Sequence, residues 1–248
     1  MTPNVDKLPV PVLEHPYWRV RFRPDVYRGE AVPSLSECFQ IIEKNKVRLR
    51  GWDYPHLSHL DTERTQGVNW VASWTHFMGH IEYWRFYQST QFLHLFSVRE
   101  VTEERWRSRL QEITTFHLSG IADVDWETVP GFISIINFLY NVTDIIEFAT
   151  RLCQAQVYKG DLNISIQINQ IRGFILTTDN INRLWDTYCS SGEDSLGKTW
   201  TIDCESLVGD SPRYSLDIVI WFFERFGWLN PSRDVLRKDI DNYLKHRR

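Results

Sequence analysis

Hydrophobic and polar positions alternate along the first clear element of the chain. In `YWRVRFRP`, Trp18, Val20 and Phe22 fall on one side and Arg19, Arg21 and Arg23 on the other, which predicts a half-buried strand closed by Pro24. The period then changes. `PSLSECFQIIEKN` places Leu35, Cys38, Phe39, Ile41 and Ile42 at helical spacing behind the capping-box pair Ser34 and Glu37, so a helix is expected over 35–44. `KVRLR` returns to alternation, with Val47 and Leu49 against Lys46, Arg48 and Arg50. Residues 51–67 read as a loop. The stretch 68–99 reads as a three-stranded meander over 68–77, 80–88 and 91–99, with turns at Met78-Gly79 and Ser89-Thr90. A short charged helix capped by Thr102 follows, then an irregular stretch over 113–127.

The longest periodic stretch runs from Thr128 to Gly160. Ile135, Leu139, Val142, Ile146, Ala149, Leu152 and Cys153 repeat at helical spacing, and the whole stretch reads as one central helix. `DLNISIQINQ` then alternates four apolar residues with uncharged polar ones, as a strand with one wet face does. `IRGFILTTD` is expected to pair with it as a hairpin, and `TWTIDCES` reads as a further strand. Two helices close the chain, over 212–226 behind Ser211 and over 231–246 behind Asn230. These elements predict an α+β fold: a mostly antiparallel sheet of about six to eight strands on one long central helix, with two C-terminal helices. Pro-rich residues 1–16 are expected to form an extended arm, and 17–248 a single domain.

Composition narrows the function classes. The chain has 248 residues, 42% of them hydrophobic and 24% charged, an ordinary globular balance. Eleven Trp and 14 Phe point to an aromatic core or to aromatic partner anchors. A net charge of −4 gives no global attraction to nucleic acid or to anionic membrane, so any such contact must be local. Four scattered cysteines without CxxC spacing, no signal-peptide pattern and no membrane-length apolar run predict a cytoplasmic protein without membrane contact.

The local exception is basic. Between His15 and Trp52 eight basic residues face four acids. If the two Arg-rich strands are sheet neighbours, Arg19, Arg21, Arg23, Lys46, Arg48 and Arg50 share one face, with Trp52 as a stacking platform, and that face suits nucleic acid or another phosphate-bearing partner. A solvated sheet face gives the same pattern. The leading expectation is therefore a non-catalytic binding or adaptor protein.

Other motifs carry less. His56, His59, Asp61, His76, His80 and Glu82 supply zinc-like spacings, the basis of an alternative reading as a metal-dependent hydrolase or nuclease. With a turn at Met78-Gly79, however, His76 pairs with Ile81 and His80 with Phe77, and the two imidazoles point to opposite faces. `GEDSLGKT`, Gly192 to Thr199, matches G-x-x-x-x-G-K-[ST], yet it follows polar residues and precedes a strand-like run, so it reads as a chance match. No cofactor fingerprint and no common catalytic motif is present. The helix `LDIVIWFFERFGWLN` is apolar almost all round, which predicts burial on the central helix or a partner or homo-oligomer interface through Trp221, Phe222 and Trp228.

The segments `WRVRFRP`, `LRGWDYPH`, `GHIEYWRFYQSTQFLHLFSVRE` and `WFFERFGW` are together similar to an uncharacterised family of bacterial proteins of about this length. The resemblance spans most of the chain. It implies a bacterial cytoplasmic origin, and since the family carries no established activity it adds no residue roles.

Overall fold

A computed structural model describes residues 10–60, 63–102, 128–178 and 189–245, with Ser108, Glu112 and Arg183 between them. In chain order the elements are α1 (Val10–Leu13), β1 (Tyr17–Pro24), α2 (Leu35–Asn45), β2 (Val47–Arg50), β3 (Trp52–Tyr54), β4 (Arg64–Gln66), β5 (Trp70–Phe77), β6 (His80–Tyr87), β7 (Phe92–Ser97) and α3 (Arg99–Thr102). They continue with β8 (Phe132–Ser134), α4 (Ile135–Gln154), β9 (Asp161–Asn169), β10 (Ile175–Thr177), β11 (Cys189–Ser190), β12 (Ser195–Asp203), α5 (Cys204–Gly209), α6 (Ser211–Arg225) and α7 (Arg233–Lys245). The fold is α+β.

Seven strands form one antiparallel sheet in the order β12-β9-β1-β7-β6-β5-β4. Strand β1 is near its middle, paired with β7 on one side and β9 on the other. The alternation of β1 therefore has a simple cause: Trp18, Val20 and Phe22 are buried, while Arg21 and Arg23 stand on the opposite, outer face. Helices α4 and α6 lie side by side on the inner face. Phe138 of α4 and Phe222 of α6 both reach Trp18, at 4.8 and 6.4 Å between ring centroids, and stand 5.2 Å from one another. Phe22 meets Phe148 of α4 at 6.1 Å. The described phenylalanines are thus largely core; of the described tryptophans, Trp18 and Trp84 are fully buried.

The meander forms as expected, with His76 paired to Ile81 and Phe77 to His80. Its tight turn needs positive φ at both Met78 (47°) and Gly79 (80°), the conformation of a two-residue hairpin. Ser34 caps α2 by accepting from the Glu37 N–H, as the capping box requires.

Several expectations are corrected. The long helix begins at Ile135, not Thr128: Ser134 accepts from Asn137 N as its cap, and the residues before it form β8, whose parallel pairing with β10 holds them extended. It ends at Gln154, well before Gly160. Strand β10 does not pair with β9. It joins β8 and β11 in a separate three-stranded sheet, because β9 is filled on both sides by β1 and β12. Strands β3 and β4 occupy the stretch read as a loop. Asp210, rather than Ser211, caps α6. Of the N-terminal arm, residues 1–9 lie outside the described residues, and Val10–Leu13 is a helical turn whose Val12 packs on Ala72, Ile81, Tyr83 and Leu95. Of the charged helix behind Thr102 only Ser108 and Glu112 are described, and the stretch 113–127 lies outside the described residues. Among the described residues no helix is long and apolar enough to cross a membrane.

Candidate functional site

The basic strands part company in the fold. Strand β2 pairs only with β3, in a two-stranded ribbon away from β1. The six cations do not share a face, which corrects that expectation: the helix between β1 and β2 does not return the chain to the same sheet. Acids claim the β2 set. Lys46 is buried, with its ammonium 2.9 Å from Glu43 and 2.7 Å from Asp53. Arg48 approaches the same two carboxylates at 3.7 and 3.3 Å. Arg50 donates from Nε to Asp144 at 3.1 Å and from Nη2 to Asn141. Trp52 is not a free platform either: its Nε1–H donates to Glu82 at 3.0 Å and its ring stacks on His56 at 4.1 Å.

On β1 the outcome is opposite. Among the described residues no carboxylate pairs with Arg19, Arg21 or Arg23. Partial burial, and then the charges of Arg19 and Arg23, pull the Arg21 guanidinium below its usual range. The cross-strand neighbours on this face are uncharged: Arg19 stands opposite Gln167, Arg21 opposite Ser165 and Arg23 opposite Asn163. One strand further out come Gly197, Thr199 and Thr201. The carboxylates of this part of the face, Asp161 and Asp203, oppose each other at one end. On the other side of β1, Arg85 lies on the ring of Trp70 at 4.0 Å and donates to Tyr83 Oη at 2.8 Å.

A second place of interest is a cleft of about 780 Å³ beneath the β5–β6 turn, lined by Arg50, Trp52, Phe77, His80, Phe96 and Asn141 among others. Behind it lies Glu82, only 2% exposed. Its Oε2 accepts from Trp52 Nε1 at 3.0 Å and His80 Nε2 at 2.8 Å, and its Oε1 from the His56 N–H at 2.7 Å and His94 Nε2 at 2.9 Å. Burial alone would raise its pKa, but the adjacent histidines and their hydrogen bonds more than offset this and hold the carboxyl well below the usual range. The buried His94 Nδ1 has no hydrogen-bond partner among the described residues, and burial lowers the His94 pKa against the pull of Glu82. His80 is held in the same way, but its ring borders the cleft. Its Nδ1 has no hydrogen-bond partner among the described residues. A carboxylate-oriented imidazole of this kind is a proton acceptor.

At the far wall Arg50 rests on Asp144, which also accepts from Tyr243 Oη at 2.8 Å. Burial raises Asp144 to about 6, with the Arg50 charge holding it down.

Other expected residues scatter. His59 and His76 are exposed and Asp61 lies outside the described residues. No group of three His, Cys, Asp or Glu side chains suited to a metal occurs among the described residues. Lys198 and Thr199 lie mid-strand in β12, not between a strand and a helix as a phosphate loop needs. The glycine between them and Leu196 has a packing role: a Cβ on Gly197 would lie 2.8 Å from the Gln167 Cβ. Phe222 is fully buried and cannot meet a partner; Trp221 and Trp228 are half-buried on Trp200 and Phe223. His94, Asn141, Asp144 and Tyr243 escaped the sequence reading. For His94 a signal existed: the two meander turns place Glu82 and His94 on one face as diagonal neighbours.

No family model, curated protein or solved structure matches the chain.

Proposed function

We propose that the outer sheet face around β1 binds a phosphate-bearing chain, single-stranded nucleic acid in the first place, and that the protein is a binding module rather than an enzyme. The observation that carries this is the row Arg19, Arg21 and Arg23, three guanidiniums without a counter-charge among the described residues, each opposite an uncharged hydrogen-bonding side chain of β9. Their Cα atoms are spaced by roughly 6.6 Å, two residues of a strand. Such a row pays an electrostatic cost in the free protein that phosphates would remove. The neighbouring amides and hydroxyls offer donors and acceptors to base edges. A broad sheet face suits a flexible single strand better than a duplex, whose major groove admits a helix or a two-stranded ribbon.

The test is fluorescence polarisation with a labelled single-stranded 12-mer at 50 and 200 mM salt. Three phosphate contacts predict that affinity falls roughly 20-fold between the two salts, from a slope of about −0.7 per contact. The Arg19→Glu/Arg21→Glu/Arg23→Glu protein should lose binding altogether. Equal binding by the triple variant ends this reading.

A second reading is favoured by the cleft. His80, oriented by Glu82, takes a proton from a water that attacks a phosphodiester without a metal; the P–O bond to the leaving oxygen breaks as the new one forms, and the imidazolium returns its proton to the departing alkoxide. The probe is bis(4-nitrophenyl) phosphate in the presence of EDTA. Hydrolysis by wild type no faster than by His80→Ala excludes it.

A further inference from the structure

The main sheet has two edges, and the fold treats them differently. At one end β4 is three residues long, a blunted edge. At the other end β12 is nine residues long and runs in unbroken register with β9 from Ser195↔Asn169 to Asp203↔Asp161. It contains no proline and no bulge; of the usual devices against edge pairing it carries the exposed Lys198. Ser195, Gly197, Lys198, Thr199 and Thr201 are exposed. Among the described residues no backbone group of 195–203 hydrogen-bonds to any segment but β9. Among the described residues the outward row of N–H and C=O groups over 195–202 is thus open.

We propose that β12 pairs antiparallel with β12 of a second copy of this chain, about a two-fold axis at Thr199, so that two seven-stranded sheets become one. The choice of a second copy rests on the strand's own sequence. Reversed about Thr199, `SLGKTWTID` is self-complementary. On the inner face Leu196 meets Ile202 and Lys198 meets Trp200; on the outer face Ser195 meets Asp203 and Gly197 meets Thr201. No two like charges stand directly opposite, and the buried ends of the strand, Leu196 and Ile202, meet each other. Lys198 already lies 5.5 Å from the centroid of its own Trp200 and 5.8 Å from that of Trp221, so the aromatic surface that would receive it across the seam is in place. Trp221 in turn packs edge-on against Trp200 at 5.6 Å, which gives the seam an apolar floor.

The pairing has a consequence for the outer face. From β1 of one copy to β1 of the other the sheet crosses β9, β12, β12 and β9, a distance of roughly 24 Å at ~4.8 Å per strand. Two arginine rows then lie antiparallel on one continuous surface, joined by a ladder that is uncharged but for Asp161 and Asp203 at its ends. This last step rests on the nucleic-acid reading; the dimer itself does not.

Size-exclusion chromatography with light scattering, without nucleic acid and at about 100 μM protein, tests the dimer. The expected mass is twice 29.5 kDa. Thr199→Asp places two carboxylates face to face on the axis and should give a monomer with an unchanged circular-dichroism spectrum, since Thr199 is solvent-exposed in the single chain. Thr199→Lys should do the same, and an equimolar mixture of the two variants should recover the dimer. A monomeric wild type overturns the proposal. So does a dimer indifferent to Thr199→Asp, or a mixture that stays monomeric. Oligonucleotide binding by a monomeric wild type would leave the arginine face standing and remove only the pairing.

Discussion

Strands β1 and β2 carry nearly the same sequence rhythm, arginine against hydrophobe, and the fold gives them opposite electrostatic lives. The cations of β2 are fixed: Lys46 between Glu43 and Asp53, Arg50 on Asp144 and Asn141. Those of β1 face amides and hydroxyls. Alternation says which side of a strand is polar. It does not say what that side will meet. The acids that neutralise β2 come partly from nearby, Glu43 and Asp53, and partly from Asp144, 94 positions along the chain. No local pattern announces the second kind. A paired cation is part of the scaffold, whereas an unpaired one is available to a ligand, and this difference should separate stability from binding in mutants of the two strands.

The largest effect expected is on stability at Arg50. Arg50→Ala leaves Asp144 buried with Tyr243 as its remaining donor, which costs about 2–4 kcal/mol, less than for a fully buried pair because a third of the Arg50 side chain is exposed. Arg21→Ala should stay within about 0.5 kcal/mol of wild type. Urea unfolding compares them, and equal losses would erase the distinction drawn here. Next comes pH. The folded pKa of Asp144, about 6, lies above the ordinary 3.8 of an aspartate, so the folded state favours the protonated carboxyl. Stability from this group is present below pH 4 and falls as pH rises towards 6, by on the order of 2–3 kcal/mol. Glu82 opposes it: its pKa is depressed from 4.5, so its contribution is present above that value and is lost on acidification. Subtracting the pH–stability curve of Asp144→Asn from that of wild type isolates the first trend, and a difference that shrinks with acidification would contradict it. Arg50→Ala should carry the fall beyond pH 6.

A smaller effect is expected in binding. Arg21→Ala should weaken oligonucleotide affinity about 3- to 10-fold at 50 mM salt, and Arg48→Ala less than 2-fold. A larger loss for Arg48 would return the binding surface to β2. Smallest of all, Arg48→Ala should change stability by less than about 0.5 kcal/mol, because its pairs at 3.7 and 3.3 Å are solvent-exposed. Thermal unfolding at two salt concentrations measures it.

What the sequence disclosed follows from range. The capping box at Ser34, the Met78-Gly79 turn, the faces of β1 and β9 and the apolar stripe of α4 depend on neighbours a few residues away, and each was legible. The start of α4 was misread because Pro130 and Thr128 resemble a helix start, while the parallel partner that holds Phe132–Ser134 extended lies more than 40 residues on. The adjacency of β1 and β2 was misjudged for the same reason: strand order is set by the register of β1 with β7 and β9, which no local signal contains. At the cleft, His80 and Glu82 were legible as chemistry. The wall facing them, Asn141 and Asp144, lay inside a helix read as structural core.

The place of β1 between β7 and β9 also sets an order of events at the ribosome. Tyr17 and its partner Asn169 are 152 positions apart. At about 5–20 residues per second, that separation takes roughly 8–30 s to synthesise. During that interval β1 and the meander can join, but the arginine strand keeps one side bare. The nascent chain thus carries an unsealed, cationic strand edge until its last third emerges, and that interval is when a holding chaperone has most to protect.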